Sequence, residues 1–160
     1  MALAKLNRLQ LLIDLWGKVS ITETVFQEAV LFGQAHGAPD ALTIRLFSQQ
    51  CRLPVVTVPD SLLAAYHPAV SLDPGEHATL AYARTLSDVL VLVDDEDART
   101  EARRLGLPIR GTLGGLVQAY RQNLLSFSEV ELLINEIAAR PDIWISARLC
   151  DRVLQTLKSA

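Results

Sequence analysis

The sequence predicts an α/β fold, with a mostly parallel sheet carrying helices on both faces. Three observations carry this. Short apolar runs alternate with helical stretches through the middle of the chain. The run VLVLV at 89–93 is apolar at every position, as strands buried on both faces are. Half of the 160 residues are hydrophobic, enough for a core in one domain spanning 1–160.

Each element follows from local pattern. Leu3, Leu6, Leu9, Leu12 or Ile13, and Trp16 recur at helical spacing, which predicts one amphipathic helix stopped by Gly17. Lys5, Arg8 and Asp14 interrupt its apolar pattern, so it is expected to be an amphipathic helix rather than a signal peptide, with a transit peptide as the alternative. Val19, Ser20 and Ile21 form a short strand, and Thr22 or Thr24 caps a helix over TVFQEAVLFG that ends at Gly33. After GAPD comes the helix ALTIRLFSQQ, then a strand at 55–58 (VVTV) between Pro54 and Pro59, then a helical turn in SLLAAY. LDPGEHATLAYARTL is a strong helix signal, with Asp73 as N-cap, Pro74 first and Glu76 third. Beyond 89–93, EDARTEARRLG is a helix closed by Gly106, LPIRG a strand and TLGGLVQAYRQ a helix. The helices SEVELLINEIAAR and SARLCDRVLQTL follow, split by Pro141.

The formal net charge of -3 excludes a chain-wide basic field for nucleic acid or anionic lipid, so such contacts need a local patch. No apolar run reaches the length of a membrane span, and no membrane association is expected. Cys51 and Cys150 form neither a metal-type pairing nor a disulfide framework, which fits a reducing, cytoplasmic setting. Both are expected to be buried apolar groups rather than nucleophiles.

The strand at 89–93 ends in four carboxylates, Asp94, Asp95, Glu96 and Asp97. Helix capping accounts for one or two of them. In parallel sheets, however, ligands gather beyond the carboxyl ends of the strands. Two further acids lie on apolar helix faces. Glu76 shares a face with Leu80 and Ala83, and Glu28 one with Val25, Leu31 and Phe32. Carboxylates rarely lie along buried faces without a partner. If Glu28, Glu76, Asp94 and Asp95 converge, oxygen-only ligands select Mg²⁺ or Mn²⁺, ions that activate water and steady a transferring phosphoryl group. His36, His67 and His77 are scattered, without HExxH spacing, and His77 is expected to be exposed rather than a ligand. Arg99, Arg103, Arg104, Arg110 and Arg121 stand against the single acid Glu101 over 99–121, a run that suits either a solvated face or phosphate. Gly111 to Gly115 (GTLGG) joins a strand to a helix but lacks the GK[ST] of a P-loop.

The ordered set ALAKLNRLQLL, VSITETVFQEAV, LDPGEHATLAYA, LVLVDDEDARTEARRLGL with IRGTLGGLVQAYRQ, and WISARLCDRVL resembles the PIN-domain superfamily. It is most similar to a PIN-like subfamily of prokaryotic, predicted nucleic-acid-binding proteins related to VapC-like toxins. The resemblance implies a three-layer α/β/α sandwich and Mg²⁺- or Mn²⁺-dependent ribonuclease activity on single-stranded RNA, often as the toxin of a toxin–antitoxin pair. It implies a homodimer, an antitoxin protein as partner, and metal-binding and catalytic roles for Glu28, Glu76 and Asp95 with Asp94 beside them. Arg99, Arg103 and Arg110 are the candidates for phosphate contact. A catalytically impaired interaction module, pairing through the first and C-terminal helices, is the alternative.

One feature departs from the family. PIN-like chains usually open with a strand that carries the first metal-binding aspartate, whereas here Met1 stands directly before Ala2 and Leu3. The fold is therefore expected to lack the usual first strand. The favoured expectation is a start downstream of the true one, with an upstream apolar run containing one aspartate.

Overall fold

The computed structural model describes residues 1–35 and 37–159. In chain order the elements are α1 (Ala2–Lys5), α2 (Gln10–Trp16), β1 (Ile21–Thr22), α3 (Glu23–Phe26), a π-helical turn (Gln27–Phe32), α4 (Gly33–Ala35), α5 (Pro39–Gln50), β2 (Val55–Val56), α6 (Asp60–Ala64), α7 (Pro74–Ala83), β3 (Val91–Leu92), α8 (Glu96–Arg104), β4 (Ile109–Arg110), α9 (Thr112–Arg121), α10 (Phe127–Ala139) and α11 (Ala147–Lys158). The architecture is mixed α/β with parallel strand pairing, consistent with a PIN-like α/β/α fold. Among the described residues no helix is long and apolar enough to cross a membrane.

The chain divides into two compact units, Met1–Gly17 with Gly111–Ala160, and Lys18–Arg110. The first unit is helical. Its core gathers Leu11, Leu116, Val130, Ile134, Ile137 and Cys150 from α2, α9, α10 and α11. The sequence predicts one N-terminal helix; the structure has two, because Asn7 takes a left-handed φ of 54° between them. Trp16 lies against α9, where a Cβ on Gly115 would stand 3.2 Å from its ring. Close helix packing therefore accounts for that glycine of the GTLGG stretch. Arg140 pairs with Asp142 at 2.9 Å and donates to the Lys5 carbonyl at 3.1 Å, tying α1 to the turn after α10.

The second unit holds the four strands found among the described residues. β1 pairs with β2 and β3 with β4, both in parallel, as two separate two-stranded sheets. The strands are shorter than their apolar runs predict. β1 and β3 each have one strand partner among the described residues, and α7 packs against both. The N–H groups of Val91 and Val93 donate to the carbonyls of Pro108 and Arg110 at 2.9 Å, so strand alternation turns the Leu92 peptide away from β4. Tyr66, Leu80, Ala81, Val91 and Ala102 form the core of the unit.

The helix expected to end at Gly33 continues to Ala35 and changes pitch on the way. That π-helical turn overturns one expectation. It rotates Leu31 and Phe32 outward, to 54% and 59% exposure, and buries Ala29 and Val30 instead. Glu28 accordingly lies on an exposed face rather than a buried one.

Candidate metal site on the second unit

α7 opens where the sequence places it. Asp73 has extended dihedrals at the N-cap, Pro74 fills the first helical position, and a capping box is present. Glu76 Oε2 accepts the Asp73 N–H at 3.2 Å. A third acid reaches the same helix start from outside it. Glu28 Oε1 accepts the Gly75 N–H at 3.0 Å. Gly75 is buried, and a side chain there would strike the Glu28 carboxylate and approach Val25 Cγ2 to 2.8 Å. Glycine at 75 leaves room for Glu28 to close on the backbone.

α8 opens on Asp95, whose Oδ1 accepts the Ala98 N–H at 2.9 Å. Capping is therefore real, as the local reading predicts. Asp94 is exposed just before it. Glu96 bonds Arg103 at 3.2 Å and lies 3.8 Å from Arg99, whose Nη1 also donates to the Val93 carbonyl at 3.3 Å. Two of the three candidate phosphate contacts are thus held in ion pairs. Arg110 is exposed on β4, in register with Leu92 two residues before Asp94.

Electrostatics joins these acids. Burial raises the Glu76 carboxyl above the ordinary glutamate range, and the Asp73 N–H opposes the rise. The negative charges of Asp95, Asp73 and Glu28 raise it further. Glu76 therefore sits within electrostatic reach of both the α8 cap and the carboxylate on the π-helical turn. Among the described residues, the second oxygen of Glu28, Glu76 and Asp95 accepts no hydrogen bond.

Their donor chemistry fits a hard divalent cation, since every group is a carboxylate oxygen and a cation would relieve the repulsion at Glu76. Their spacing is open: among the described residues, no three His, Cys, Asp or Glu side chains stand together closely enough to hold a metal ion.

A family model described as PIN domain matches residues 1–159. The chain belongs to the PIN-domain family. PIN domains are a nuclease-type fold, generally hydrolases that use divalent metals and bind nucleic acid. No curated protein and no solved structure matches this PIN-domain chain significantly.

Sequence reasoning misses Glu101 in this unit. Counted only as the lone acid in a basic run, it is 1% exposed. Arg104 grips it with two hydrogen bonds of 2.6 and 2.8 Å, the Tyr66 hydroxyl donates at 2.9 Å and the Ala69 N–H at 3.3 Å. Arg104 holds its carboxyl down to about 2 against the opposing effect of burial, helped by Tyr66 and Ala69. His77 is half-buried rather than exposed. It stacks on Tyr66 at 5.0 Å, with Nε2 3.0 Å from the Tyr66 carbonyl. The signal was available, because Ala98, Glu101 and Leu105 share one helix face. Cys150 is buried as expected, while Cys51 is half-buried; both are free thiols. His36 lies outside the described residues.

Proposed function

We propose that this PIN-domain protein is a Mg²⁺- or Mn²⁺-dependent endoribonuclease acting on single-stranded RNA. In this reading it works in the cytoplasm as a homodimer and as the toxin of a toxin–antitoxin pair, with residues 1–160 acting as one PIN-like domain. The observation that carries the reading is Glu76, a partly buried carboxylate whose proton affinity is raised by burial and by the charges of Asp95, Asp73 and Glu28. Burial contributes most to that rise, and the neighbouring acids add a repulsion that a bound cation would relieve, which supports the reading.

Glu28, Glu76 and Asp95 would hold the metal and act in catalysis, with Asp94 assisting beside them. A metal held there would supply a polarised water and would stabilise charge on the transferring phosphoryl group. The chain's own groups do the positioning. The Gly75 N–H and the Ala98 N–H fix the carboxylates of Glu28 and Asp95, and the Asp73 N–H fixes that of Glu76. Arg110 would contact substrate phosphate directly, whereas Arg99 and Arg103 would first exchange Glu96 for phosphate.

A second reading is a PIN-like interaction module without catalysis. It is favoured by the open spacing of the acids and by the single strand partner of β1 and of β3 among the described residues. Mn²⁺-dependent cleavage of single-stranded RNA, measured beside Asp95→Asn, separates the two. Asparagine keeps the α8 cap, so the variant stays folded. Cleavage that vanishes in Asp95→Asn supports the nuclease; no cleavage by either protein favours the interaction module.

A further inference from the structure

A groove of about 500 Å³ lies between α9 and α11, wholly within the first unit. Val117 and Tyr120 line it from α9, and Leu149 and Val153 from α11. Spacings of three and four residues make these apolar stripes, and Leu149 remains 39% exposed at the edge. Arg121 and Arg152 complete the lining. Both are exposed, and among the described residues neither forms an ion pair. Two unpaired guanidiniums beside an apolar trough stand out in a chain of net charge -3.

We propose that this groove docks one amphipathic helix of a partner protein, apolar along one stripe and acidic on its flanks. Helical stripes on both walls suit a third helix laid between them, with apolar anchors at spacings of three, four and seven. Carboxylates on the occupant's flanks pair with Arg121 and Arg152, which sets its orientation and partner choice. The mostly apolar lining argues against RNA, whose phosphates gain nothing from an apolar floor. The inference is independent of whether the acids of the second unit hold a metal, so its failure leaves the nuclease reading untouched.

The test uses the full chain and a surface-displayed library of helices of roughly two to four turns, with a fixed leucine stripe and flanks varied among Glu, Gln and Lys. The expected result is enrichment of Glu-flanked helices. Arg121→Glu combined with Arg152→Glu should weaken their binding by about tenfold or more, and Lys-flanked helices should bind that double variant instead. Circular dichroism confirms that the variant is folded. The proposal is overturned by enrichment without a preference for Glu, by no enrichment, or by binding that ignores both arginines. It is equally overturned by competition from oligouridylate RNA at the groove, or by a dimer in light scattering that Val153→Glu dissolves, which would make the occupant a second copy.

Discussion

Glu101 and Glu76 are two acids of the same unit that meet opposite surroundings. Glu101 is enclosed, and every donor around it favours its charge: a two-pronged guanidinium, a phenol and a backbone N–H. Glu76 is also partly buried, but the charges that shift it belong to Asp95, Asp73 and Glu28. One carboxyl is held far below the ordinary glutamate range and the other is pushed above it. A satisfied buried charge holds α8 to the loop that carries Tyr66 and Ala69. A crowd of acids around a partly buried one costs stability.

Removing Glu101 should have the largest effect. Glu101→Ala leaves the Tyr66 hydroxyl buried without its acceptor, and Arg104 is half-exposed, so the loss should be about 2 to 3 kcal/mol. Thermal melting should fall by roughly 5 to 10 °C; a fall under a degree would show that the knot is incidental.

Gly75→Ala should come next. Its Cβ would occupy the space of the Glu28 carboxylate. The expected cost is about 1 to 2 kcal/mol, from the broken hydrogen bond and the local overpacking. Urea denaturation reads the cost, and Mn²⁺ affinity should weaken with it. Alanine tolerated at wild-type stability would mean that Glu28 has freedom to move elsewhere.

Stability against pH should separate the two acids by sign. The pKa of Glu101 is depressed on folding, so its contribution is complete above the unfolded glutamate value and is lost as pH falls toward about 2. The pKa of Glu76 is raised on folding. Its protonated form therefore favours the fold, and that contribution is lost as pH rises past the ordinary glutamate range. Urea midpoints across the acid range for wild type, Glu101→Gln and Glu76→Gln should show the first variant flattening the acid-side loss and the second flattening the loss on the higher side.

The smallest effect is expected from Glu76→Gln near neutral pH. Glutamine can keep the bond to the Asp73 N–H while removing the repulsion, so stability should rise by about 0.5 kcal/mol. A clear loss would show that the charge of Glu76 is already compensated in the folded chain.

Much of this was legible in the sequence. Asp73, Pro74 and Glu76 announce α7, Asp94 and Asp95 together announce α8, and the ordered motifs indicate the family. Apolar period alone did not reveal the break at Asn7, because both short helices keep the same spacing around a left-handed residue. Nor did it reveal that Leu31 and Phe32 face outward, because a π-helical turn changes the residue count per turn on which facing arguments rest. The role of Gly75 was equally hidden. Its partner, Glu28, lies 47 residues earlier, and only the folded chain shows that the two meet. Glu101 was within reach of the helical arithmetic applied to Glu76 but was taken as part of a solvated basic face.

The central claim is that Glu28, Glu76 and Asp95 form a cation site. Mn²⁺ binding followed by electron paramagnetic resonance at neutral pH tests it most directly, in wild type, Asp95→Asn and Glu76→Gln. The account predicts Mn²⁺ bound by wild type, with affinity reduced by about tenfold or more in each folded variant. Wild type that leaves Mn²⁺ free, or variants that bind it equally well, would contradict the account.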